Sequence, residues 1–504
     1  MNETLDRVSL GKYMILLGIL ALVPVGSLFF YPEEMAHRES FVLTFLISAF
    51  PGGLLCVYGH YQKVPDALRW HLRLRMSSTT VLTIWLWGML VGALPFFLGG
   101  QLDFVRSLFE AVSGWTTTGF SVAVPEQMPR IYLFHRAFMQ YVGGLGFVLV
   151  MVLFLPGRKA MTLFSGEGHP DRIMPSLQRT AQIVFLIYNV FFIVGTGLYI
   201  WAGLSPLEAV CHTMSALSTG GFSTSTDSIG GYGSRAVEWV SILLMLLGMT
   251  NFYVILQCFR GHWREAVRVT ELRLMAGTVA VVSLLFASRE LPALIADGVF
   301  ASPQDFLTAC FDALRRGMFL TATSLSGTGY GITGPEAWSP AVLVVMVVLM
   351  FMGGMSGSTA GGLKLHRVYV LLRIARLYLR RRLVPGRTII VPHYFRVEGR
   401  VAFDRHLVDE AIGFALIYIG FFLLTAIALC FTTGAGFTEV VFEAASAIGN
   451  VGISIGLTGP DTNAATLIVE MIAMMLGRLE IFIVLIGMYS AWQGFSNGSG
   501  ERRS

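Results

Sequence analysis

Residues 109–121 read FEAVSGWTTTGFS and residues 442–454 read FEAASAIGNVGIS. Aligned without a gap, they share Phe109/Phe442, Glu110/Glu443, Ala111/Ala444, Ser113/Ser446, Gly119/Gly452 and Ser121/Ser454. Residues 211–223, CHTMSALSTGGFS, match the first through Ser215, Thr219, Gly221, Phe222 and Ser223. Residues 319–331, FLTATSLSGTGYG, match more weakly, with Thr323, Gly329 and Tyr330 in the corresponding places. Chance similarity between small-residue-rich stretches is the competing explanation. All four copies, however, sit between two long apolar runs, which marks an internal repeat.

Working outward, the runs around each copy are near twenty residues, enough to cross a hydrocarbon core of about 30 Å as a helix. The runs carrying the motif are shorter, as expected of re-entrant half-helices. Two further apolar helices, about 11–31 and 40–58, come first. The expectation is an all-α polytopic membrane protein with ten spanning helices and four re-entrant loops, in which four tandem helix–pore-loop–helix repeats surround a pseudo-fourfold pore. Its parts are an N-terminal pair (1–60), repeats at 78–155, 180–258, 272–366 and 408–492, a basic connection (367–407) and a tail (493–504).

Composition agrees. Of 504 residues, 54% are hydrophobic and 13% charged, where a soluble domain carries about 25% charged residues. The first apolar run is long for a signal peptide, lacks a small-x-small cleavage site and leads straight into another, so it reads as a retained helix. The five cysteines are scattered without ligand or disulfide spacing and read as packed thiols. The net charge of +5 does not mark a nucleic-acid partner. Basic residues cluster in alternate connections (63–75, 158–179, 260–273 and 364–405), which places these loops and both termini in the cytoplasm.

Irregular backbone at membrane depth survives only when buried in protein or lining a watery path. Four Gly-ended segments therefore predict converging non-helical backbone whose carbonyls replace water around a dehydrated cation. Glycine reaches the left-handed conformations that turn carbonyls inward. The candidate filter residues are Thr117, Thr118, Gly119, Thr219, Gly220, Gly221, Gly327, Thr328, Gly329, Asn450, Val451 and Gly452. A lining rich in oxygen and poor in carboxylate favours a weakly hydrated monovalent cation over calcium or magnesium. Close helix packing by small residues is the plainer reading, but these glycines end short segments instead of recurring mid-helix.

A second break follows the third copy: Gly353, Gly354, Gly357, Ser358, Thr359, Gly361 and Gly362, then Lys364. Each glycine costs about 1 kcal/mol relative to alanine in a helix, so a flexible gate below the filter is expected, with a packing kink as the alternative. A phosphate-cradling loop would need GKS/GKT order and a preceding strand, and has neither. Arg478, inside the last apolar run, costs roughly 2.5–3.5 kcal/mol to insert and should face the interior or the ion path. Its two readings are a barrier charge below the filter and an ion pair with Glu470 or Glu480.

These residues carry a family resemblance. The chain resembles the membrane subunits of the Trk/Ktr/HKT superfamily of potassium transporters, nearest the bacterial Trk type, over almost its whole length. Besides the four loops, the resemblance rests on Ser356 to Lys364 and on Gly477 to Glu480, and the N-terminal pair favours Trk over the shorter Ktr type. It implies potassium bound at the filter residues, a homodimer with a pore in each protomer, and residence in the bacterial inner membrane. It also implies a separate cytoplasmic regulatory subunit of the TrkA type carrying NAD(H) or ATP/ADP, since this chain has no Rossmann-like segment. Arg367 to Arg387 and the strand-like Thr388 to Phe403 are candidate docking surfaces, or anchors for inner-leaflet lipid. Within the family, glycine at all four filter positions goes with potassium. Departures here are Gly327 where threonine is expected and a fourth segment without a hydroxyl.

Two other classes fit less well. A sodium-coupled symporter of a small solute usually has inverted repeats, whereas these run in parallel register. An enzyme would need HExxH, paired carboxylates or a Ser/His constellation, none of which is present at plausible spacing.

Overall fold

The computed structural model describes residues 7–61, 73–146, 177–297, 303–335, 338–383, 393–396, 399–403, 405–479 and scattered positions to 489. Most of the basic connections at 63–75 and 158–179, the strand-like residues 388–392, Glu480 and the tail 493–504 fall outside these.

Helices α1 (Arg7–Leu22) and α2 (Arg38–Tyr61) form an antiparallel pair. The α-helix of the first run stops at Leu22 because Pro24 opens a 3₁₀ turn over Val23–Phe29. Ser48 Oγ donates to the Met14 carbonyl (2.6 Å) and accepts from Trp87 Nε1 (3.1 Å), fastening the pair to the first repeat.

Each repeat is then a long helix, a helix ending at the motif, and a second helix. Repeat one has α3 (Arg73–Leu98), α4 (Phe104–Trp115) and α5 (Arg130–Leu145). Repeat two has α6 (Leu177–Trp201), α7 (Pro206–Leu217), and α8 (Arg235–Gly248) with α9 (Phe252–Phe259). Repeat three has α10 (Thr270–Asp297), α11 (Pro303–Ser326) and α12 (Pro340–Met352), followed by α13 (Leu365–Leu383). A hairpin of β1 (His393–Arg396) and β2 (Gly399–Ala402) leads to repeat four: α14 (Arg405–Thr433), α15 (Phe437–Gly449) and α16 (Ala464–Arg478).

Two expectations are revised. Among the described residues six helices are long and apolar enough to cross a membrane, and α8 with α9 makes a seventh only as a pair bent by 103°. The second helices of repeats two and three are not continuous spans: they are interrupted at Met249–Asn251 and at Gly353–Lys364, while among the described residues α5 ends at Leu145 and α16 at Arg478. Glycine lets α5 and α16 approach closely: a Cβ on Gly143 would lie 2.2 Å from the Trp115 carbonyl oxygen, and one on Gly477 2.1 Å from that of Ile448. The second helices thus press on the ends of their own motif helices. Secondly, α11 is not a short half-helix. It runs 24 residues, and its outer turns carry Asp305, Asp312, Arg315 and Arg316, which hide the length in a hydropathy reading. Arg315 pairs with Glu238 of α8 and Asp312 with Arg235, so this polar extension docks on repeat two.

Apolar side chains face outward along the long helices, with Leu186, Ile193, Val281, Leu284, Leu416 and Leu424 exposed. Polar ones turn inward, and Glu110, Arg136, Gln140, Glu443 and Glu470 are all buried. That inversion is what a lipid solvent demands.

Candidate functional site: a ring of four Gly-ended segments

Caps fix where the motif helices begin. Asp103 accepts from the Arg106 amide (2.9 Å) at the start of α4, and Ser205 with Glu208 forms a capping box at α7. Each helix then ends directly at its motif segment: Thr116–Gly119, Ser218–Gly221, Gly327–Gly329 and Asn450–Gly452.

The segments share one backbone pattern. Two residues before the terminal glycine, φ is positive (Thr117 +53°, Thr219 +53°, Gly327 +73°, Asn450 +52°), and it is positive again at the glycine (Gly119 +97°, Gly221 +78°, Gly329 +81°, Gly452 +77°). Three of the first set are not glycine, a conformation ordinary residues rarely adopt and surrounding structure must enforce.

The four segments close on one another. A Cβ on Gly119 would lie 2.2 Å from the Gly220 carbonyl oxygen, on Gly221 1.8 Å from that of Thr328, on Gly329 1.9 Å from that of Val451, and on Gly452 2.1 Å from that of Thr118. The order is one to two, two to three, three to four and four back to one. Any side chain at these positions strikes the next segment's backbone. In every segment the terminal glycine is partly open while its two neighbours in sequence are buried. The partly open residue of each segment is thus the glycine that meets the next segment.

The candidate filter residues are thus brought together, and their side chains brace more than they line. Thr118 Oγ1 bonds Thr116 Oγ1 (2.8 Å) and accepts from Asn450 Nδ2 (2.9 Å), which also donates to the Met474 carbonyl (2.8 Å). The fourth segment lacks a hydroxyl, and its asparagine reaches across the seam to one on the first. Thr328 Oγ1 bonds Ser326 Oγ (2.6 Å), and Thr219 Oγ1 donates to the Ser218 carbonyl (2.7 Å). Thr117 Oγ1 is buried without a hydrogen-bond partner.

Sequence reasoning missed several residues at the seams. Gln140 of α5 donates to the Gly220 carbonyl (2.5 Å) and accepts from the Phe222 amide (3.1 Å), tying repeat one to two. Tyr330 donates to the His212 carbonyl (3.2 Å), tying three to two. A polar amide inside an apolar helix was the available signal for Gln140. On the loops beyond the ring, Glu126 accepts from the Thr226 hydroxyl (2.6 Å) and amide (2.7 Å). That hydroxyl bond chiefly holds the exposed Glu126 carboxyl below its ordinary range.

The Gly353–Lys364 run lies on the other side of the ring and is not slack. Thr359 Oγ1, with one hydrogen to give, lies 2.8 Å from the Gly248 carbonyl of α8 and 3.0 Å from the Leu217 carbonyl of α7, and stands 3.3 Å from Thr219 Oγ1. Asn251, at the break between α8 and α9, donates to the Ser356 carbonyl (2.5 Å), while the Ser356 amide donates to Glu271 (2.8 Å). Lys364 bonds the Ala360 carbonyl. Of the two partners proposed for Arg478, Glu480 lies outside the described residues and Glu470 binds Thr458 (2.8 Å). The Arg478 guanidinium donates to the carbonyls of Thr359 (2.6 Å) and Gly143 (2.7 Å), bridging the run to α5. Gly144, Ser358, Gly361, Lys364, Gly477 and Arg478 help line a cavity of about 60 Å³. That is room for a few waters or a bare ion, far below the roughly 300–1,000 Å³ of organic-ligand pockets.

The sequence and the fold match known proteins. The TrkH family, described as cation transport protein, matches residues 48–493. The chain is 28% identical over 482 residues to an uncharacterized cation transporter of Methanocaldococcus jannaschii, covering 95% of this chain and 93% of that one. It is 31% identical over 410 residues to the Trk system potassium uptake protein TrkI of Halomonas elongata, covering 78% and 79%. The crystal structure of the potassium transporter TrkH from Vibrio parahaemolyticus superposes with a TM-score of 0.79 at 25% identity, covering 95% of this chain and 98% of that one.

Proposed function

The chain belongs to the TrkH family of cation transport proteins, and from that premise we propose that it takes up potassium through the ring of four Gly-ended segments. The observation that carries this reading is the closed cyclic contact of Gly119, Gly221, Gly329 and Gly452 with the next segment's carbonyl oxygens. Backbone oxygens at the ring stand in for the hydration shell of a monovalent cation. Each motif helix ends at the ring, so the negative ends of four helix dipoles meet there and favour a cation.

Below the ring, the Gly353–Lys364 run acts as the gate and Arg478 as its clasp. Pulling Thr359 away from Arg478, Leu217 and Gly248 opens the path. The force comes from a cytoplasmic regulatory subunit of the TrkA type that binds NAD(H) or ATP/ADP, docked on α13 and the β1–β2 hairpin. The protein works as a homodimer in a bacterial inner membrane, basic loops and both termini inside.

The test is rubidium uptake, with sodium as control, in cells stripped of their own potassium systems and supplied with the regulatory subunit. The intact chain takes up rubidium selectively. Gly119→Ser, whose Cβ collides with the Gly220 carbonyl, lowers the rubidium-to-sodium ratio about tenfold or more, as a shift of about 1.4 kcal/mol in discrimination does. An unchanged ratio in folded protein removes the filter assignment, and no uptake by the intact chain returns the symporter reading.

A further inference from the structure

Repeats one and four place a carboxylate at the same point, Glu110 and Glu443, each second in its motif and each fully buried. In both, it accepts backbone amides of the loop beyond the ring. Glu110 takes those of Val122 (2.8 Å) and Ala123 (3.0 Å), and Glu443 those of Ile455 (3.2 Å) and Thr458 (3.1 Å). Gly143 and Gly477, which press on the ends of α4 and α15, set the register of the second helices. Seven residues before them stand Arg136 and Glu470. Arg136 neutralises Glu110 (3.0 Å). Glu470 brings a second carboxyl group to the first.

Thr458 stands between the two. Its Oγ1 bonds Glu443 Oε1 and lies 2.8 Å from Glu470 Oε1. A hydroxyl has one hydrogen, and an ionised carboxylate has none to give. Two such contacts therefore require one more proton. Glu443 has both oxygens occupied by donors, the environment of a charged carboxylate, whereas Glu470 Oε2 is buried without a partner. An ionised Glu470 would leave a naked charge there.

We propose that Glu470, Thr458 and Glu443 form a proton-binding site beside the fourth segment. The proton resides on Glu470, which donates to Thr458, which donates to ionised Glu443. Thr458 is half-buried on the loop surface, so the proton leaves through it to water on that side of the ring. Two carboxylates then face one another across a single hydroxyl, the loop that Glu443 holds loosens, and the adjoining Asn450–Gly452 segment loses its support.

Among the described residues the packed elements place no unpaired cation beside Glu470, since Arg405 and His406 stand at the opposite end of α14 from Thr432, which Asn463 at the start of α16 bonds. From α4 come Asp103 and Arg106, paired with each other, Arg106 donating also to the Pro460 carbonyl (3.1 Å), and Glu110, already held by Arg136. Helix α15 adds Glu439, the loop Asp461, and α14 Tyr418 and Cys430. Arg478 is two turns, about 12 Å, further along α16. Among these, the group linked to Glu470 is Glu443, through the shared Thr458 hydroxyl.

The site stands on geometry alone, and only its consequence for transport rests on the potassium reading. The experiment is infrared difference spectroscopy of the full-length protein in nanodiscs, at neutral pH and above, where surface acids are ionised. The expected result is a protonated-carboxyl C=O band that shifts in D₂O, fades as pH rises, is missing in Glu470→Gln and changes frequency in Thr458→Val. No such band in the wild type, or the same band in Glu470→Gln, overturns the proposal. In parallel, rubidium uptake by proteoliposomes should fall severalfold as outside pH rises through the fading of the band, and stay flat in Glu470→Gln. Parallel profiles in both proteins overturn the link to the fourth segment. Absence of uptake at every pH strikes the potassium reading, while the infrared result still decides the proton.

Discussion

Repeats one and four are the most alike in sequence, and they treat the same buried carboxylate in opposite ways. Around Glu110 the charge is closed by Arg136, whose guanidinium also donates to Ser121 (2.7 Å) and lies 4.2 Å from the Phe222 ring centre. That group makes the seam between repeats one and two rigid. Around Glu443 there is no arginine at the matching place but Glu470, and the seam to repeat one is made by a neutral amide, Asn450. The remaining copies put His212 and Leu320 at this point; His212 bonds Ser223 (3.2 Å), which occupies the place of Ser121. In three of the four copies this point anchors the loop beyond the ring, while its charge differs from one quarter to the next. A ring built of four similar backbones thereby acquires one quarter that is held by a salt bridge and one that is held by a proton.

That contrast can be broken most forcefully at Arg136. Arg136→Met leaves Glu110 buried without its counter-ion, and should cost about 3–5 kcal/mol, read as a large fall in the thermal midpoint of detergent-purified protein. A loss under 1 kcal/mol would mean that Glu110 is not ionised and that the two quarters are alike. Next comes Glu443→Leu, which strands the Ile455 and Thr458 amides and should cost about 1–3 kcal/mol, with faster exchange of those amides. Unaltered exchange would show that the loop is held elsewhere. The smallest effect is expected from Asn450→Ala, about 0.5–1.5 kcal/mol for a neutral hydrogen bond, but with a lowered rubidium-to-sodium uptake ratio because the seam between the fourth and first segments opens. If Gln140→Ala leaves that ratio as it is while Asn450→Ala lowers it, the two seams differ in importance.

The motif copies, the apolar runs and the two breaks were legible in the sequence because each is local. A glycine after a short apolar stretch, or Gly353–Gly362 within a helix, can be recognised without knowing its neighbours. The interruption at Met249–Asn251 was less visible, since only Gly248 and Asn251 mark it in an otherwise apolar run. The length of α11 was misjudged because hydropathy counts Asp312 and Arg315 as breakers, whereas they are satisfied by Arg235 and Glu238 from another repeat. The Gly353–Lys364 run looked loose for the same reason: a glycine count records lost helix propensity but not the hydrogen bonds that Asn251, Glu271 and Arg478 bring from other parts of the fold.

By itself, then, the sequence determined a membrane-spanning chain with four parallel copies of a Gly-ended segment, because hydropathy, charge asymmetry and repeat spacing act along the chain. The tertiary structure decided how the copies meet: the cyclic order of the glycines, the seams at Gln140 and Asn450, and the pairing of Glu443 with Glu470 rather than with an arginine. Those depend on carbonyls and carboxyls brought within about 3 Å from residues tens to hundreds of positions apart, where only the packing of the long helices sets the distance.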